Sequence, residues 1–196
     1  MDGTSSAAPV TRAELMRVLA PFRTPHNVRG ALLTLLDYIL LGISLWFAAT
    51  AADAVVRFIA GLFAGFFITR LWVIGHDACH QAMFSTRKLN KFFGRLSFLP
   101  SLTPYTMWEV GHNVAHHGYN NLRGGDYVWA PMSEKEYLAA PAWRRMLERL
   151  YRSGFGVGFY YLIELWWNRL YVPSMPHSKP RRKGFTLDFT LTTVYG

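Results

Sequence analysis

The sequence predicts an all-α membrane protein, and three observations carry that prediction. Two apolar runs, residues 31–52 and 54–75, are each 22 residues long and separated by a single residue. The chain is 51% hydrophobic and 16% aromatic with mean hydropathy +0.09, an aromatic load that suits a membrane protein with large polar loops better than a soluble domain. Five of seven histidines fall in two short arrays at helical spacing. At about 1.5 Å per residue, each apolar run spans a hydrocarbon core of roughly 30 Å.

Residues 1–30 read as a polar cytoplasmic segment with a short amphipathic piece, RAELMRVLAPF. They hold no continuous apolar core of a cleaved signal peptide. Residues 31–75 form a transmembrane helical hairpin whose connector is essentially Asp53. Asp37 lies seven residues into the first run. Ionisable groups at such depth are functional candidates by default, but the favoured reading is a side chain near the interface, hydrogen-bonded to the other helix. Arg70 reads as snorkelling toward the nearby surface.

Of 21 Lys and Arg residues, four precede the hairpin and fifteen follow it. The positive-inside rule makes that side cytoplasmic. This asymmetry accounts for most of the net charge of +9 without nucleic acid, for which no binding module is present. The single cysteine, Cys79, excludes an intrachain disulfide.

Residues 76–184 are assigned to a cytoplasmic and interfacial region. Within it, 85–103 turns from polar to apolar, is too short to span, and is broken by Pro100. Thr103 and Pro104 predict a helix start, with Thr as N-cap and Pro at the first helical position. That helix runs through Trp108 and Glu109 to His117 and stops at Gly118. In residues 141–152, Trp143, Met146, Leu147, Leu150 and Tyr151 recur at 3–4 spacing among four arginines. This fits a helix lying on an anionic leaflet or an ordinary packed helix. Residues 159–172 read as interfacial and 173–184 as a basic loop. Residues 185–196 open a third apolar span.

The arrays are His76-x3-His80, at the mouth of the second run, and GHNVAHHG, with His112, His116 and His117. Residues four apart share one helix face, so His76 and His80 can hold one ion together, as can His112 and His116. His117 is turned by about 100° from His116 and can reach a second ion. His26 and His177, outside the arrays, read as packing or surface residues. Imidazole suits iron, zinc, copper and nickel alike, and neither cysteine pairs nor a His-Glu-x-x-His motif marks the site as zinc. Asp77, Glu109 and Asp126 are placed either to accept ring N–H bonds from ligating histidines or to act as caps and solvated charges. A nitrogen-only site beside a bilayer points to dioxygen chemistry on an apolar substrate, where thiolate ligands would be oxidised.

On these residues the sequence resembles the membrane fatty acid desaturases. HDACH (76–80) matches the family's first histidine box and HNVAHH (112–117) its second. The following GYNNLRGGDYVWAPMS resembles the corresponding stretch of bacterial acyl-lipid desaturases, particularly the delta-12-like group. The resemblance implies an all-α fold of transmembrane hairpins with a cytoplasmic helical cap carrying the histidine boxes, in a bacterial inner membrane. It implies a non-haem di-iron centre that uses dioxygen to insert a cis double bond into a fatty acyl chain. His76, His80, His112, His116 and His117 are then iron ligands. The acyl chain would enter a narrow tunnel, with Trp108, Tyr119 and Trp129 as candidate lining. No His-Pro-Gly-Gly haem motif is present, so electrons are expected from a separate ferredoxin- or cytochrome-type carrier.

Two features depart from the family pattern. Gln81 stands where family members often have glycine, and the third box, H-x2-H-H, is absent, with no histidine after His177. The expectation is therefore that this chain is an incomplete part of a desaturase and is inactive alone. The alternatives are a related di-iron hydroxylase or ketolase, a non-catalytic remnant, and a metal-binding membrane protein.

Overall fold

Thr11 opens the first helix, α1 (Arg12–Leu19), through a reciprocal capping box with Glu14. A computed structural model describes residues 10–120, 122–126, 128–171 and 184–196, and those residues are predominantly helical with no strand. The basic stretch 172–183, which holds His177, lies outside the described residues.

The two apolar runs become α2 (Asn27–Thr50) and α3 (Ala54–Cys79), both long and apolar enough to cross a membrane. α2 starts earlier and α3 ends later than its apolar run, and polar side chains cap the start of each. His26 Nδ1 accepts the Arg29 N–H at the start of α2, and Asp53 Oδ1 accepts the N–H groups of Val55 and Val56 at the start of α3. Leu41, Ala64 and Leu71 form the buried seam between the two helices. Asp37, 1% exposed, accepts a 2.9 Å hydrogen bond from Arg70 Nε. The expected link to the other helix is therefore present, and Arg70 pairs across the seam rather than simply reaching for the surface.

α4 (Arg87–Phe98) lies against α3. Gly75 permits this: a Cβ there would meet the Phe98 ring at 2.3 Å. Asn90 secures the turn into α4, taking the Phe84 N–H and donating to the Phe84 carbonyl. α5 (Tyr105–Val110) begins with Pro104, not Thr103, at the N-cap, so no side chain of its own segment caps it. α5 continues as a π-helical stretch, Gly111–His116.

Of the remaining helices, α6 (Glu134–Ala139) is short and capped by Ser133. α7 (Ala142–Tyr151) divides its predicted apolar stripe. Tyr151 is buried, whereas Trp143 and Met146 are exposed, and Arg144 turns to Glu164 at 2.9 Å. α8 (Val157–Tyr160) runs on as a second π-helical stretch, Tyr161–Tyr171. α9 (Phe185–Tyr195) closes the chain against α5 through Asp188, which accepts bonds from Arg95 Nε (2.5 Å) and the Thr106 N–H (2.7 Å).

Candidate metal centre

A helix leaves its last four carbonyls without intrahelical partners, and the end of α3 resolves this by building the site. His76 occupies its last turn and His80 is its C-cap. The Asp77 carbonyl takes the Ala82 N–H, and the Ala78 carbonyl takes the Gln81 N–H together with the Tyr105 hydroxyl at 3.3 Å. The Cys79 carbonyl takes the Asn113 side-chain amide at 2.9 Å. Tyr105 and Asn113 both belong to the α5 segment, so the two histidine arrays are fastened backbone to side chain. Gln81 makes the exit turn at φ +59°, in the left-handed region that favours glycine. This is the physical reason a glycine suits that position.

The second array does not follow α-helical geometry. The His117 N–H bonds to the His112 carbonyl at 3.0 Å, five residues back, and the wider π turn aligns residues 112 and 117. Their Nε2 atoms lie 3.2 Å apart. His116 stacks on His112 with ring centres 5.2 Å apart, but its Nδ1 turns to Asp126, 3.0 Å from each carboxylate oxygen. The pairing read from a 3.6-residue repeat, His112 with His116, is thus replaced by His112 with His117.

Four imidazoles converge. His112 Nε2 lies 2.9 Å from His76 Nε2 and 3.2 Å from His80 Nε2, and the latter two are 3.3 Å apart. His76, His80 and His112 form a group able to hold one metal ion. Hydrogen bonding cannot satisfy this triangle, because one ring nitrogen is either a donor or an acceptor and never both. A cation can. Nitrogens about 2.0–2.1 Å from a metal sit about 2.9–3.4 Å from each other in octahedral or tetrahedral arrangements, the spacing found here. Burial first, and then the rings of His76, His117, His80 and His116, push His112 down to about 3. Burial and the rings of His76 and His117 also lower His80. Both stay neutral with lone pairs available.

The acidic candidates divide. Asp77 Oδ1 lies 3.0 Å from His76 Nδ1, as Asp126 does from His116. A carboxylate at Nδ1 fixes the proton there and leaves Nε2 free to ligate. The loop carrying Asp126 is itself pinned: Asp126 Oδ1 takes the Val128 N–H, Tyr160 OH takes the Ala130 N–H, and Glu148 takes the Met132 N–H. Glu109 is buried and acts on the Tyr105 hydroxyl. Burial, then Cys79 and Glu109, push the Tyr105 hydroxyl up.

The aromatic candidates divide too. Trp108 stacks on His112 at 5.0 Å and 17°. Trp72, which sequence reasoning passed over, stacks on His76 at 5.8 Å and 23°. The two indoles touch edge to face at 4.9 Å, making an aromatic floor under the cluster. Tyr119 is exposed and packs over Gly125. Trp129 pairs with Tyr160 and with the Arg152 guanidinium 4.1 Å above its ring. The missed tryptophan had a signal, since WVIGH (72–76) and WEVGH (108–112) repeat one pattern.

The fold and the site define a helical protein with membrane-length helices and a cluster of imidazoles, able to hold a metal ion, at the end of one of them. The chain belongs to the fatty acid desaturase family, whose profile matches residues 52–195. It is 31% identical to a fatty acid desaturase of Bacillus subtilis over 72% of this chain and 41% of that protein. It is 29% identical to the sn-1 oleoyl-lipid 12-desaturase of Arthrospira platensis over 61% of this chain and 33% of that protein. It is 32% identical to the sn-1 acyl-lipid omega-3 desaturase (ferredoxin) of Synechocystis over 66% of this chain and 36% of that protein. The chain thus spans about a third to two-fifths of the length of these relatives. No solved structure matches it.

Proposed function

We infer that this chain carries two of the three histidine arrays of a membrane fatty acyl desaturase that inserts a cis double bond into an acyl-lipid chain. The observation that carries the reading is the convergence of the His76, His80, His112 and His117 Nε2 atoms within 2.9–3.3 Å of their neighbours. His76, His80, His112, His116 and His117 would hold two iron ions. Iron so held supplies the activation of dioxygen that removal of hydrogen from an unactivated methylene requires.

The chain's own residues do the rest. Asp77 and Asp126 hold the protons of His76 and His116 on Nδ1, keeping Nε2 directed at metal. Trp72 and Trp108 stack under two ligand rings and exclude water from that side. α2 and α3 form a transmembrane hairpin with the cluster on the cytoplasmic side of a bacterial inner membrane, at the depth where acyl chains begin. The narrow crevice of Trp108, Gly111, Val128, Leu165 and Leu170 beside His112, with Arg169 also on its wall, supports a reading as part of the acyl path. Two electrons per turnover would come from a ferredoxin- or cytochrome-type carrier.

Five imidazoles leave two iron coordination spheres short of ligands, so residues 1–196 alone are expected to bind metal without forming product. The test has two arms. Iron content and Mössbauer spectra of the purified chain report the metal; none bound would overturn the reading. Mass spectrometry of host lipids separates loss of two hydrogens from gain of oxygen when the chain is supplied with a third histidine array. Desaturated lipid from residues 1–196 alone would overturn the inactivity.

A further inference from the structure

The Asp188 carboxylate is buried, bears a charge, and lies outside the metal cluster. Each of its two oxygens accepts a hydrogen bond. Oδ1 accepts Arg95 Nε from α4 at 2.5 Å, and Oδ2 accepts the Thr106 N–H of α5 at 2.7 Å. Arg95 also lies over the Tyr105 ring, 5.6 Å from its centre, and its Nη2 is 3.5 Å from Thr106 Oγ1. The backbone closes on this point. At Gly184, where φ is +115°, a Cβ would sit 2.8 Å from Thr106 Oγ1 and 3.1 Å from Arg95 Nη2.

α5 needs this help. Its N-cap is Pro104, which offers no side-chain acceptor, so the first N–H groups of the helix have no local partner. A carboxylate at a helix N-terminus both accepts such an N–H and meets the positive end of the helix dipole. Asp188 does both from a helix 82 residues away in sequence. Six residues after Thr106, about 9 Å along the axis, the same helix presents His112. No break intervenes, since Val110 and Gly111 are both helical. Fixing the rotation of α5 at Thr106 therefore fixes where the His112 and His117 rings point.

We propose that Asp188, held by Arg95, is a positioning residue for the second histidine array: it caps α5 in trans and so sets the register of His112 and His117 against His76 and His80. The proposal rests on the metal reading given above. It assigns a role in the metal centre to the third apolar segment, which contributes no ligand of its own.

Cobalt(II) serves as the probe, titrated into the full 196-residue chain in detergent and followed by its visible absorption. Two variants separate positioning from general support. The double variant R95L/D188L removes both charges, so no lone buried charge remains to unfold the protein. T106P deletes the N–H that Asp188 accepts, in the first helical turn where proline is tolerated, and keeps both members of the ion pair; T106V, which loses only the hydroxyl near Arg95 Nη2, is its reference. Both are expected to weaken cobalt binding about tenfold, the lower end for residues that orient metal ligands, and to shift the absorption maximum. Wild-type affinity and spectrum in both variants would overturn the proposal. Should the double variant lose its helical circular dichroism, T106P decides alone. Absence of cobalt bands in the unsubstituted chain would overturn the metal reading itself, and the proposal with it.

Discussion

The two histidine arrays begin alike and end differently. WVIGHDACH (72–80) and WEVGHNVAHH (108–117) share Trp-x2-Gly-His-x3-His, and in both the tryptophan stacks on the first histidine. The first array stays on an α-helix, and its rings at i and i+4 meet with Nε2 atoms 3.3 Å apart. The second lies on a π-helical stretch, and its meeting pair is i and i+5. The shared pattern gives different meeting pairs because the helix beneath it has a different pitch. Insertions of this kind cluster at functional sites. Here the wider turn frees His116 to face Asp126 while His117 enters the cluster.

The largest effect tests that exchange. His117→Ala is expected to weaken cobalt binding by about 100-fold and His116→Ala by about tenfold, since His117 Nε2 already meets the converged rings whereas His116 stands beside them, facing Asp126; equal losses would erase the distinction between the arrays. The orienting carboxylates come next. Asp126, 6% exposed, faces its histidine with both oxygens, whereas Asp77, 49% exposed, offers one. Asp126→Asn should therefore cost about tenfold in metal affinity and Asp77→Asn about threefold, read by the same titration.

A pH series sharpens the comparison further. His112 in the folded chain sits near 3, against about 6.5 unfolded. Between those values the unfolded state binds the extra proton, so stability rises with pH across that window. The metal-free chain should therefore melt progressively lower as pH falls from 6.5 toward 3. His112→Gln should flatten that slope, and an unchanged slope would remove His112 as its cause. The smallest effect belongs to the exit of the first array. Gln81→Gly relieves left-handed strain of roughly 1–2 kcal/mol but adds unfolded-state freedom worth roughly 0.5–1 kcal/mol. A gain of about 0.5 kcal/mol in denaturant unfolding is expected, and a loss would mean that the Gln81 side-chain bond to the Ala78 carbonyl outweighs the strain.

Much of this architecture is legible in the letters. The two membrane-length helices follow from run length, and Asp53 is visible as a connector because nothing else separates the runs. The histidine arrays announce themselves by spacing, and Asp77 and Asp126 by proximity to them. What the letters hide is whatever depends on pitch or on distant partners. A 3.6-residue template places His116 where the π turn places His117. The Thr103-Pro104 pair reads as a local cap, but the structure gives α5 its cap from Asp188. Asn113 reads as a spacer inside the second array, yet it holds the Cys79 carbonyl at the end of the first. The arginines of 141–152 read as suiting an anionic leaflet or an ordinary packed helix, and Arg144 and Arg152 are committed to Glu164 and Glu148.

The Asp37–Arg70 pair has a consequence for how α2 and α3 stand together. A lone Asp or Arg in an apolar helix costs up to roughly 2.5–3.5 kcal/mol where the helix crosses lipid, so each of these charges would burden its own helix if that helix stood alone in a membrane. Joined, each neutralises the other's penalty across the seam. The pair thus acts as a latch that sets the sliding position of one rod against the other, and with it the height at which His76 and His80 stand at the end of α3.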